Sequence, residues 1–273
     1  MSDPDAAVPA VWWGDFHVAE GEVACWHIGP LHVWLERRPN EWRLVQQAQA
    51  DPMEVRTRVM VPLDAEQVGA FRHATESAVP LRFTRATEDA PIRVMPALAD
   101  RPVVVRPEAP LWILPGQAAT LYVSTPLWVS FSEGNHAMTE LPSLRPPDTW
   151  FGPSTQEGEL CYASRTDARL VLDDLPKRMN RAVTPVNVLN KGSDPLHLTR
   201  IKLPTEHLTL YRSIHDFLWT QAVDVEREAD QDNVTITMHT RPPEDAAQPQ
   251  VLVPPRRKSR LTIINRISGW FSL

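Results

Sequence analysis

The stretch Arg101-Pro-Val-Val-Val-Arg-Pro-Glu-Ala-Pro-Leu-Trp-Ile-Leu-Pro-Gly-Gln-Ala-Ala-Thr-Leu-Tyr-Val-Ser-Thr-Pro-Leu-Trp-Val-Ser-Phe131 decides the fold class. Its apolar runs are three to five residues long, and each ends at proline or a polar residue. Runs that short and that rich in Val, Ile, Trp and Tyr suit strands buried on both faces. Pro107, Pro110, Pro115 and Pro126 would each interrupt a helix, because proline has no N–H and clashes with the preceding turn. The stretch reads as the buried centre of a mostly β protein.

Working outward, Val23–Ile28, Leu31–Arg37 and Glu41–Val45 are strand-like runs separated by Gly29-Pro30 and Pro39-Asn40. Leu31, Val33 and Leu35 alternate with His32 and Trp34, so both faces of that strand are candidates for burial. A further alternation runs from Met53 to Val61. One short helix is signalled: Asp64 is a candidate N-cap, Gln67 completes a capping box, and Leu63 with Val68 has hydrophobic-staple spacing. Its narrow apolar side is Ala65, Val68 and Phe71, ending near Glu76. In the second half, Leu196 and Leu198 are out of phase with Ile201 and Leu203, which suggests a bulge at Thr199-Arg200. Trp219–Glu226 and Val234–Met238 form the clearest hairpin. The pattern Leu-Pro-x5-Leu-Tyr-x-Ser occurs at Leu114 and again at Leu203, either a duplicated β unit or chance likeness between proline-rich strands.

These signals predict two sandwich-like, Ig-like β units with one short helix and a basic amphipathic C-terminal tail. The expected boundaries are a flexible 1–10, a first unit over 11–142, a second over 149–241, a proline-rich linker over 242–255 and a tail over 256–273. The segment Ser143–Asp148 is the break between units, being proline-rich and without periodicity.

Composition narrows the function. The 273 residues carry 27 prolines and 10 glycines, about twice and half the usual shares. Ten tryptophans either fill the core or build an aromatic platform. No apolar run approaches the roughly 20 residues that span a bilayer, and the acidic N-terminus lacks the signature of a secretory signal. A cytoplasmic protein, peripheral at the inner membrane if its tail binds there, is the expectation. Cys25 and Cys161 then read as reduced thiols. A net charge of −6 argues against general or sequence-specific nucleic-acid binding.

Signatures of chemistry are sparse, and no catalytic, cofactor or metal residue is assigned. The nine histidines show no metal-binding spacing. His27 and His32 face one another across Gly29-Pro30, and His207, His215 and Asp216 form a looser group, but structural histidines are the expected reading of both. Ser132 lacks the first glycine of a nucleophile elbow, and no phosphate-binding loop is present. Glu157 with Glu159, and Asp173 with Asp174, read as solvated loop charges.

The C-terminal tail has the character of a docking segment. After Asp245 there is no acidic residue, while Arg256, Arg257, Lys258, Arg260 and Arg266 are basic. The remaining 23 basic residues stand against 34 acidic ones, leaving −11 on the rest of the chain. Leu261, Ile264, Ile267 and Phe271 follow helical spacing with Trp270 beside them, which suits an anionic membrane surface or a partner's groove. Leu261, Ile263, Asn265 and Ile267 also alternate, so a last strand of the sheet is the other reading.

The runs Arg101–Pro107, Leu111–Pro115, Tyr122–Val129, Trp150–Pro153 and Gly158–Tyr162 resemble an archaeal and bacterial family described only as a domain of unknown function. The resemblance covers roughly residues 10–240 and carries no catalytic residue, cofactor or small-molecule ligand. It implies a role beside small-conductance-type mechanosensitive channels. The function expected is therefore a non-catalytic binding or regulatory protein docking on a membrane protein or membrane surface. The alternative is a hydrolase or carbohydrate-binding protein using Trp112, Trp128 or Trp150.

Overall fold

The computed structural model describes residues 11–48, 51–63, 65–85, 90–152, 158–229, 233–258 and 262–266. In chain order the first elements are β1 (Gly14–Phe16), β2 (Val23–Ile28), β3 (Leu31–Arg37), β4 (Glu41–Ala48), β5 (Thr57–Met60), α1 (Ala65–Ser77), β6 (Leu81–Thr84) and β7 (Ile92–Ala97). There follow β8 (Val103–Val105), β9 (Leu111–Ile113), β10 (Ala118–Pro126), β11 (Trp128–Glu133), β12 (His136–Pro142), β13 (Asp148–Phe151), β14 (Glu159–Ala163) and β15 (Arg181–Asn190). The last are β16 (Leu196–Leu198), β17 (Ile201–Leu203), β18 (Leu210–Arg212), β19 (Leu218–Thr220), β20 (Val223–Arg227), β21 (Asn233–Met238), β22 (Gln250–Val253) and β23 (Thr262–Arg266). The fold is mostly β with one α-helix among the described residues, as the short proline-ended runs predict.

The chain divides into two compact units and passes between them three times: Met1–Ala97 with Leu127–Leu144, and Leu98–Pro126 with Arg145–Leu273. The last passage falls within the proline-rich Ser143–Asp148 segment. Of the earlier two, the first lies just before the stretch 101–131, at Ala97/Leu98, and the second divides it at Pro126/Leu127. The sequence reading runs the first unit continuously over 11–142, whereas the structure assigns Leu98–Pro126 to the second unit. The reason is long-range pairing. β10 is antiparallel to β15 over nine residues, from Ala118↔Leu189 to Pro126↔Arg181, a partner invisible to local pattern.

In the first unit, a four-stranded sheet (β1-β7-β11-β12) packs on a five-stranded one (β5-β2-β3-β4-β6). Trp26 on β2 makes edge-to-face contacts with Phe16 and Phe131. The Trp42 indole N–H donates to Glu133 Oε1 at 3.0 Å. The opposite face of the five-stranded sheet is covered by α1: Phe71 and Ala74 pack with Cys25, Trp34, Val45 and Met60. The alternation of β3 is thus satisfied twice, apolar residues toward one layer and His32 with Trp34 toward the other. Residue 64, the expected N-cap, lies outside the described residues, while Leu63 packs against the helix-side cluster.

In the second unit, an eight-stranded sheet runs β22-β18-β19-β15-β20-β21-β23, with β10 also on β15. A four-stranded sheet (β13-β14-β8-β17) and a ribbon of β9 with β16 complete the unit. The phase slip at Thr199-Arg200 proves to be a change of sheet: β16 pairs with β9, and β17 pairs with β8. The expected 242–255 linker contains β22, which pairs with β18. Both copies of the Leu-Pro-x5-Leu-Tyr-x-Ser pattern lie in this unit and their strands take different partners, so the pattern does not mark the two units.

Candidate functional site

The predicted docking residues fall in three groups. The Arg256 guanidinium donates to the Leu98 carbonyl at 2.6 Å, so this cation helps tie the segment to its own unit. The Arg257 N–H donates to the Glu206 carbonyl, and the Arg257 carbonyl lies 3.1 Å from His207 Nδ1, which anchors the backbone while the side chains of Arg257 and Lys258 stay exposed. Ile264 and Arg266 are on β23, opposite Thr235 and Asn233 of β21. This stretch is a strand, not the helix that the Leu261–Phe271 spacing suggests. The β-branched run Thr262-Ile263-Ile264 and the free edge of β21 favour extension. Arg260, Leu261, Ile267, Trp270 and Phe271 lie outside the described residues.

A second site is assembled by the β2–β3 hairpin. Gly29 adopts φ 57°, a left-handed conformation that favours glycine at this two-residue turn. The turn sets the register Ile28↔Leu31, His27↔His32 and Cys25↔Trp34, which puts Cys25, His27 and His32 on one face. That is the face α1 covers. Cys25 Sγ lies 3.1 Å from His32 Nε2, and the two imidazole centroids are 3.5 Å apart. His32 also stacks on Trp34 at 3.8 Å. One ligand atom from each of the three residues lies within 4.8 Å of the others. His27 Nε2 is shielded from solvent and has no hydrogen-bond partner. Burial pushes the His27 imidazole down to about 4, with help from Arg56 and Arg58, and pushes His32 down to about 3. Both rings are therefore neutral at pH 7 and keep a lone pair. Among the described residues this is the one group of three such ligands brought together. The two-residue turn at Gly29-Pro30 predicts the pairing of the histidines, whereas Cys25 reads by itself as a reduced thiol. The i, i+2 spacing of Cys25 and His27 was the signal that could have found it.

The other groups do not converge. Asp216 accepts from Arg212, and His207 lies 3.7 Å from Glu206. Glu159 is paired with Lys202 at 2.9 Å, while residue 157 lies outside the described residues. Trp128 is buried in the first unit; Trp112 and Trp150, in the second, are 60% and 39% exposed on separate sheets. Trp112 stacks flat on His197 at 4.2 Å. A cleft beside α1, with a volume of about 730 Å³, is lined by Glu22, Glu36, Arg38, Arg43 and Phe71 among others, and no tryptophan is part of its wall. No helix among the described residues is long and apolar enough to cross a membrane.

The molecule is thus a mostly β protein of two units that alternate along the chain, with a largely buried thiol–imidazole group in the first and a basic C-terminal segment in the second. A family model described as "Protein of unknown function (DUF432)" matches residues 12–268, and the chain belongs to that family. The match extends beyond residue 240, where the sequence resemblance stopped, and takes in β22 and β23. No curated protein and no solved structure matches the chain.

Proposed function

We propose that this protein is a non-catalytic binding or regulatory protein that docks on an anionic surface, of a membrane or a membrane protein, through its C-terminal basic segment. The observation that carries the reading is charge separation: five cations and no acidic residue follow Asp245 in a chain of net charge −6. Each such cation near an anionic leaflet contributes about 1 kcal/mol, screened within a Debye length. A mechanosensitive channel, the partner implied by the family resemblance, would offer such a setting. Truncation at Arg256 is a poor test, because it would also remove β23 from β21 and break the Arg256–Leu98 contact. Neutralising Arg257, Lys258 and Arg260 together to glutamine leaves both in place. The triple variant is expected to bind phosphatidylserine vesicles, or a partner in native membranes, on the order of 100-fold more weakly. Co-sedimentation and pull-down both unchanged by it would reject the reading.

A second reading, carbohydrate binding, is favoured by one observation, the exposed Trp112 ring held flat by His197. Aromatic faces of this kind suit the apolar face of a sugar ring.

A further inference from the structure

We infer that Cys25, His27 and His32 form a binding site for a single thiophilic closed-shell metal ion, zinc(II) or copper(I). The hairpin register already delivers the three ligands to one face, and their ligand atoms lie within 4.8 Å of one another. Metal–sulfur and metal–nitrogen bonds of about 2.3 and 2.0–2.1 Å put bound sulfur and nitrogen roughly 3.5 Å apart. Cys25 Sγ and His32 Nε2 are 3.1 Å apart, so this pair is within a few tenths of an ångström of the spacing a metal imposes, and His27, inside the 4.8 Å group, closes the rest. A thiol donating to His32 accounts for two of the three residues but leaves His27 Nε2 enclosed and unsatisfied. Buried polar atoms in native folds are satisfied with few exceptions, and the unsatisfied ones call for an explanation. A metal ion supplies one.

The donor set selects the chemistry. One sulfur and two imidazole nitrogens, with no carboxylate in the group among the described residues, disfavour calcium and magnesium and suit zinc(II) or copper(I). Met60, the register partner of Cys25 on β5, brings a thioether to the same face and packs in the same cluster. Charge separates the two ions. Copper(I) with the Cys25 thiolate is neutral, which fits a floor of Trp34, Met60 and Phe71. Zinc(II) would leave a net positive charge near Arg56 and Arg58, the cations that act on His27, with Glu54 as the smaller opposing charge. Zinc would also need a fourth ligand, a water or Met60. On binding, the Cys25 thiol gives up its proton to solvent and its sulfur lone pair to the metal.

The test is titration of the full-length, chelator-treated protein with zinc(II) against a chromophoric chelator, and anaerobically with copper(I) against a copper(I)-specific one. One equivalent bound with a sub-micromolar Kd is expected, and the arm with the tighter binding identifies the ion. His27→Gln removes no internal hydrogen bond, so it should fold and bind at least ~100-fold more weakly; Cys25→Ser should also abolish the thiolate charge-transfer absorption of a cobalt(II)-loaded sample. Failure of both ions to bind at one equivalent below micromolar concentrations overturns the inference. So does unchanged affinity in His27→Gln, which would place the ion elsewhere.

Discussion

Glu206 is 5% exposed, and burial raises the pKa of its carboxyl above the ordinary value of 4.5. Its Oε2 has no hydrogen-bond partner, although His207 and Arg257 offset part of the cost. Glu133 is equally buried yet accepts from the Trp42 indole and lies 4.0 Å from Arg85, so its burial is compensated. The sign for Glu206 follows from its raised pKa: the folded state holds the proton more tightly than the unfolded state. The contribution of this carboxyl to stability is therefore fully present below pH 4.5 and is lost as pH rises through the folded pKa. Glu206→Gln should stabilise the protein at pH 7 by about 1 kcal/mol or more, with the gain vanishing below pH 4.5. Urea unfolding at pH 4 and pH 7 measures both limbs; a variant less stable than the parent at pH 7 would show that the ionised carboxylate is needed.

At the scale of elements, the β13–β14 hairpin depends on one missing side chain. A Cβ at Gly158 would sit 1.9 Å from Trp150 Nε1, so the indole lies where any larger residue would stand. Trp150 is opposite Leu160 on β14, which ties the ring to the register of the pair. Gly158→Ala must displace the ring or the strand end. A loss of about 1–3 kcal/mol is expected, together with a shift in tryptophan emission as the ring becomes more exposed. Unchanged stability and emission would mean that the indole has another resting place. Pairing also explains the tail. The same residues satisfy a helical and an alternating pattern, and the available edge of β21 is what selects the strand.

At the scale of the whole molecule, the three passages between units decide what can be cut. A fragment 11–142 would carry β10 without β15, leaving Leu121 and Val123 without the pairing that buries them. It is expected to aggregate. Ala97 lies directly opposite Trp128 in the β7–β11 ladder, so a linker of a few residues could join 11–97 to 127–144. That chimera should be soluble, retain α1 and melt cooperatively by circular dichroism and light scattering. A well-folded 11–142 fragment together with an insoluble chimera would refute this division.

The mostly β class, the three strands over 23–45, the helix from 65 and the final hairpin follow from the sequence alone, because alternation, proline placement and capping are local properties of the chain. The facing of His27 and His32 was also legible, since a two-residue turn fixes the register. Which unit owns β8–β10, the change of sheet between β16 and β17, and the strand in the tail were decided only by tertiary pairing. Each depends on hydrogen bonds to partners distant in the chain, and a short apolar run looks the same whichever neighbour it will find. The addition of Cys25 to the two histidines belongs to the same class: only the packed sheet, with α1 over one face, shows that three ordinary side chains share one largely buried corner.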